Sequence, residues 1–186
     1  MSALSIPEFR IYTADDLFAM PSNARYELIM GELIAMPPPP GGEHGIRTLS
    51  LSAHVAVYVE EHDLGYCFAA ETGFKIAHDP DTVLAADFAF VAKERLPDGV
   101  PVKHVPLAPD IIMETRSPGD TKREVSSKVL LWLQAGTRVA WVLDPKARTL
   151  TVHRTGHLPR ILGADDILTV DDILPGFQYS LARLFR

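Results

Sequence analysis

Residues Pro109 to Lys128 read PDIIMETRSPGDTKREVSSK, and the fold turns on this stretch. Ile111, Ile112 and Met113 form a short apolar run bounded by Pro109 and Pro118, which predicts a central strand. The run ends in Glu114, Thr115 and Arg116, so a carboxylate sits at the end of that strand. Ser117-Pro118-Gly119-Asp120 predicts a turn. Thr121, with Glu124 three residues on, predicts a capping box that satisfies free amides at a helix start. Val125, Val129, Trp132 and Leu133 give the helix an apolar stripe, and Lys128 falls inside it. An ammonium on a core-facing stripe is costly without a partner. Glu114 is the expected partner.

Upstream, Leu84 to Val91 (LAADFAFV) predicts a second strand, with Phe88 and Phe90 on one face and Asp87 beside Ala85 and Ala89 on the other. An acid among small residues leaves room for a ligand. Phe68 to Ile76 (FAAETGFKI) predicts another strand, carrying Glu71 and Lys75. Tyr26 to Ile29 and Glu32 to Ala35 flank Met30-Gly31 and predict a β-hairpin. Its acids are Glu32, expected on a solvated face, and Glu27, for which a solvated face and a site are both open. Pro37 to Pro40 and the glycines after them predict a loop. Ile46, Leu49, Ala53 and Val57 predict a helix from His44 to His62, with His44 at its start, able to reach a site or to cap. Thr13 with Asp16 predicts a short helix over Ala14 to Met20. Downstream, Gly136 is placed to cap the Lys128 helix. Strands Arg138 to Leu143 and Thr149 to Arg154 flank a turn at Asp144-Pro145-Lys146, and a final short helix carries Leu181 and Leu184. The order predicts an α/β class, as an α+β mixed sheet with flanking helices and an N-terminal β-hairpin.

A chain of 186 residues suits a single domain over 1–186. Hydrophobic content of 47% and charged content of 23% are those of an ordinary globular protein. No apolar run approaches the roughly 18 residues of a membrane span. The opening MSALSIPEFR lacks a signal peptide's basic start and apolar core, and the lone Cys67 forms no internal disulfide, so a cytoplasmic location is expected. A formal charge of −6 counts against a simple nucleic-acid binder. It leaves room for an enzyme that gathers carboxylates around a cation.

Two carboxylates from neighbouring strands and an ammonium suit Mg²⁺ (or Mn²⁺), which takes one or two carboxylates, waters and phosphate oxygens. Tyr26-Glu27-Leu28-Ile29, Glu71-Thr72-Gly73-Phe74, Asp87-Phe88-Ala89-Phe90-Val91, Ala108-Pro109-Asp110, Glu114, Ser117-Pro118 and Asp120 form a distinctive series. It continues through Lys128, Ala135-Gly136 and Trp141-Val142-Leu143-Asp144-Pro145. From about Thr13 to the C-terminus this series resembles the Uma family of endonucleases, which has the restriction-endonuclease-like PD-(D/E)XK fold. The resemblance implies a DNA-cleaving, Mg²⁺-dependent core in which Asp87 and Glu114 bind metal. It also implies that the lysine of the motif has moved to the next helix, as Lys128, with Glu27 and Glu71 as further recurrent acids. Ala86 stands where that family has proline before the aspartate, Met30 replaces a turn aspartate, and Thr115-Arg116 replaces an apolar pair. Strand alternation puts Arg116 on Glu114's face, able to bind phosphate or to neutralise the glutamate. The Thr115 backbone carbonyl is a further candidate ligand. A homodimer is expected, since cutting duplex DNA pairs two sites. The alternatives are an inactive member of the fold that binds DNA or protein, and a hydrolase of a small phosphorylated substrate.

Overall fold

The computed structural model describes residues 10–21, 23 and 25–186, so most of the opening segment read for a signal lies outside the described residues. In chain order the elements are α1 (Ala14–Phe18), β1 (Tyr26–Ile29), β2 (Glu32–Ala35), α2 (Gly42–Glu61), β3 (Gly65–Ala69), β4 (Gly73–Ala77), β5 (Thr82–Ala85) and β6 (Phe88–Ala92). Then come β7 (Ile111–Thr115), α3 (Lys122–Gln134), β8 (Val139–Asp144), β9 (Thr149–His153), β10 (Arg160–Leu162), β11 (Ile167–Thr169), β12 (Gln178–Ser180) and α4 (Leu181–Leu184).

The strand of Ile111, Ile112 and Met113 is central, as expected. It is β7, inside a six-stranded sheet of order β10-β9-β8-β7-β6-β3. β7 and β8 are parallel and joined through α3, while the other neighbours in this sheet are antiparallel. A four-stranded antiparallel sheet of order β2-β1-β5-β4 lies beside it in the fold. The large sheet is covered on both faces because alternate residues of its strands feed different cores. Phe88, Phe90, Ile111 and Met113 pack with Leu51, Val55 and Val59 of α2 and with the C-terminal segment. Ala89, Val91, Ile112 and Ala140 pack with Val129 and Trp132 of α3 and with Phe74 and Leu84 of the smaller sheet. The mixed sheet, the flanking helices and the N-terminal hairpin are all present.

Three local expectations are corrected. Phe68 to Ile76 is not one strand: it divides into β3 and β4, in different sheets, around Glu71, whose φ of +68° breaks any extended run. Leu84 to Val91 divides in the same way into β5 and β6, because the chain leaves the small sheet at Ala85 and enters the large one at Phe88. Asp87 therefore sits at a crossover between sheets, not within a strand. On α2 the predicted apolar positions Ile46, Leu49 and Val57 are 57%, 62% and 52% exposed. The buried face is Leu51, Val55 and Val59, also at helical spacing, and packing against the large sheet selected it.

The predicted capping box forms at Thr121–Glu124, and Thr13–Asp16, read as a helix start, forms one as well. Gly136 follows α3 with φ +106°, as a helix stop requires. In the β1–β2 turn Met30 and Gly31 both have positive φ, the geometry of a two-residue hairpin turn, so Met30 carries strain that glycine avoids.

Candidate metal centre

The β6–β7 register pairs Phe90 with Ile111, Ala89 with Ile112 and Phe88 with Met113. Just before that register begins, Asp87 lies beside the end of β7, where the Thr115 amide donates to Asp87 Oδ2 at 2.7 Å. By strand parity Glu114 belongs to the face that packs on α3, while Asp87 lies outside β6, in the crossover.

Lys128 reaches Glu114 from α3. Its ammonium lies 3.2 Å from Glu114 Oε1 and 2.9 Å from Glu27 Oε1, and donates to the Ala85 carbonyl at 2.7 Å. An ammonium has three N–H donors, so this set matches all of them. Glu27 Oε1 also accepts the Ala85 amide at 3.0 Å. Trp132, four residues and one turn after Lys128, donates its indole N–H to Glu114 Oε1 at 3.0 Å. The expected Lys128–Glu114 pair is present, with Glu27 as a second partner.

Burial pushes the Glu114 carboxyl up to about 7, against the Lys128 charge and with help from Asp87 and Glu27. Burial also works against the Lys128 ammonium, but Glu114 and Glu27 more than offset it and raise its pKa above the ordinary lysine value. Near neutrality the lysine is therefore charged, and of this pair Glu114 is the one that exchanges a proton. His44, at the start of α2, places Nε2 at 3.2 Å from Asp87 Oδ2. That hydrogen bond raises its pKa against the effect of burial, and the Asp87 charge and the Thr115 carbonyl add to it. On the same side Thr48 Oγ1 donates to Thr115 Oγ1 at 2.8 Å.

Two candidates lie apart from this cluster. Glu71 is exposed and pairs with Arg25 at 2.6 Å. Arg116 pairs with Asp144 and donates to the Asp120 carbonyl at 3.0 Å, while Asp120 Oδ2 accepts the Ser117 amide at 2.6 Å. β7 ends at Thr115, so strand alternation no longer governs Arg116, and it braces the Ser117–Asp120 turn instead of facing Glu114. Asp144 accepts the Ala147 amide at 2.9 Å, the turn role expected of it. Arg116→Ala, which leaves Asp144 without its cation in a partly buried place, is expected to lower stability by about 2 kcal/mol. Mn²⁺ affinity should stay unchanged; a shift in affinity with little loss in urea unfolding would overturn the brace.

Trp132, Thr48 and Ala85 were not foreseen as parts of the cluster. Trp132 left one signal: a buried indole N–H needs an acceptor, and the residue one turn before it is Lys128.

Among the described residues no three His, Cys, Asp or Glu side chains are arranged as a metal site. A Mg²⁺-type site does not need three, because waters and substrate oxygens complete its shell. Glu27 and Glu114 share one lysine, Asp87 lies close enough to act on Glu114, and these two acids, Asp87 and Glu27, add to the burial that raises the Glu114 pKa. The donor set is all oxygen, it is short of positive charge, and it fits a hard divalent cation.

Comparison with curated proteins gives no match. Among solved structures, a protein from Anabaena variabilis ATCC 29413 described as "a putative nuclease belonging to DUF820" superposes with a TM-score of 0.80. The match covers 93% of this chain and 97% of that one at 23% identity, a likeness of fold. Residues 13–182 match the Uma2 family, described as "putative restriction endonuclease". With that match over nearly its whole length and a restriction-endonuclease-like core, the chain belongs to the Uma2 family.

Proposed function

We propose that the protein is a divalent-metal-dependent endonuclease that hydrolyses DNA phosphodiester bonds, acting as a single-domain protomer of a homodimer. The observation that carries this reading is that Glu27 of β1, Glu114 of β7 and Lys128 of α3 meet in one ion cluster, with Asp87 of the β5–β6 crossover bound to the Thr115 amide at the end of β7. Asp87 and Glu114, with the Thr115 carbonyl, would hold Mg²⁺ or Mn²⁺. The cation, when bound, supplies Lewis-acid stabilisation of the phosphoryl group and activation of water. Lys128 keeps its proton, because its pKa is raised and its donors already have acceptors. Its part is a fixed positive charge beside the reacting phosphate, not proton abstraction. His44 positions Asp87 by hydrogen bonding to it. Arg116 orders the turn that follows Glu114 and is the nearest candidate for a phosphate contact in the DNA-bound state. Glu71 is left outside the reaction.

The test is cleavage of plasmid and linear DNA with Mg²⁺ or Mn²⁺, by wild type and Asp87→Ala. Metal-dependent cutting that is lost in the variant and abolished by EDTA is expected, with DNA affinity falling steeply as salt rises. Turnover of a small phosphoester without any salt-sensitive DNA binding would overturn the nucleic-acid substrate. A second reading, a non-catalytic DNA- or protein-binding module, has one observation in its favour: Lys128 already neutralises part of the acid cluster without metal. Salt-sensitive DNA binding with no cutting under any divalent metal would select it.

A further inference from the structure

Lys128 takes two of its three acceptors from the small sheet, Glu27 on β1 and the Ala85 carbonyl at the end of β5, and one from the large sheet, Glu114 on β7. The Glu27 carboxylate is itself held: the Ala85 amide donates to the same Oε1 that meets the ammonium. The chain of contacts thus runs from the Ala85 amide to Glu27, from Glu27 to Lys128, and from Lys128 to Glu114.

We infer that Glu27 is a positioning residue, which acts through Lys128 by keeping the ammonium shared between two carboxylates. The inference rests on the metal-dependent reading above and deepens it. With Glu27 in place, half of the lysine's carboxylate pairing is drawn away from Glu114, which leaves that acid free to serve a cation. Without Glu27, the ammonium falls to Glu114 and competes with the metal for it. Groups that orient a site from just outside it are worth about ten- to a hundredfold in metal affinity or activity. The contact needs an oxygen that accepts two hydrogen bonds, and a glutamine carbonyl also has two lone pairs. Positioning therefore separates Glu27→Gln from Glu27→Ala, whereas a pure charge effect does not.

Two measurements test this. In metal-free protein labelled with ¹⁵N-lysine, the Lys128 ammonium should give a slowly exchanging signal in wild type, a weaker one in Glu27→Gln and the weakest in Glu27→Ala, where only Glu114 and the Ala85 carbonyl remain as acceptors. In Mn²⁺ calorimetry, Glu27→Ala should bind roughly ten- to a hundredfold more weakly, with Glu27→Gln clearly closer to wild type. Cleavage by Glu27→Ala should fall in kcat with KM for DNA little changed, and Lys128→Met with Glu27→Ala should be no slower than Lys128→Met alone. An ammonium signal as protected in Glu27→Ala as in wild type overturns the inference, as does a Glu27→Gln as impaired as Glu27→Ala. Should wild type bind no Mn²⁺ and cut no DNA, the nuclease reading fails, and the ammonium signal alone still decides whether Glu27 holds Lys128.

Discussion

Glu114→Gln is expected to abolish Mn²⁺ binding and to slow DNA cleavage on the order of a thousandfold, the consequence of losing several kcal/mol of metal-supplied stabilisation. The geometry behind this is specific. Asp87 is bound to the amide of Thr115, the residue after Glu114, and the Glu114 carboxyl is held near 7 by burial and by the two neighbouring acids. Metal binding must then displace a proton at acidic pH. Wild type should release close to one proton per Mn²⁺ at pH 6 and about a tenth of one at pH 8, and its affinity should fall about tenfold for each pH unit below 7. Calorimetry in buffers of different ionisation enthalpy reads this directly. The same shift fixes the sign of metal-free stability. A carboxyl with folded pKa about 7 against 4.5 when unfolded stabilises the fold fully below 4.5 and loses that contribution as pH rises to 7. The span corresponds to about 3 kcal/mol, an order-of-magnitude figure for a group so closely coupled to Lys128. Glu114→Gln should remove that slope and be the more stable protein at pH 8. Equal Mn²⁺ binding by wild type and variant would take Glu114 out of the site.

Why the acids and the lysine were legible is a matter of period and punctuation. An apolar run closed by prolines marked β7, a capping box marked the start of α3, and Lys128, a charged residue on an apolar stripe, pointed to a carboxylate partner. These are local signals, and they survived into the fold. What was not legible depended on tertiary choice. Leu84 to Val91 looks like one strand because nothing in its residue types announces that the chain changes sheets at Ala86 and Asp87. α2 has two apolar faces at helical spacing, and only the large sheet decides that Leu51, Val55 and Val59 go inward. Arg116 was placed on Glu114's face by alternation, a rule that stops applying where β7 ends. Glu27 lies farther off in sequence than any local pattern reaches: it precedes Lys128 by 101 positions, and its pairing with Lys128 needed the small sheet to dock. The crossover that misled the strand assignment is the feature that presents Asp87 at a sheet end, where a ligand can approach.

Lys128→Met should give a protein that binds metal more tightly and cuts DNA at least a hundredfold more slowly. The methionine keeps most of the stem's bulk and removes three donors, so Glu27 and Glu114 lose their shared cation while Val129 and Trp132 remain packed. Glu114 Oε1 is then no longer contested, and Mn²⁺ affinity rises. The fixed positive charge beside the phosphate is gone, and the loss of one such preorganised group typically costs a hundred- to a thousandfold in kcat. Without metal the same change breaks a largely buried ion cluster, at a cost of about 3 to 5 kcal/mol near pH 8. The pH dependence follows from the carboxyls. Lys128 has a folded pKa above its unfolded 10.5, so its contribution in wild type is fully present from pH 5 to 8 and gives no slope there. In the variant Glu114, already raised to about 7, rises further and takes up a proton. The deficit against wild type should therefore be small at pH 5 and grow as pH rises toward 8. A snorkelling lysine, with its head in solvent, predicts none of this: its loss would cost the same at both pH values. Urea unfolding of metal-free protein at pH 5 and pH 8, with Mn²⁺ titration and cleavage on the same samples, separates the two. Wild-type cleavage by Lys128→Met, or a pH-independent deficit, would reduce Lys128 to packing.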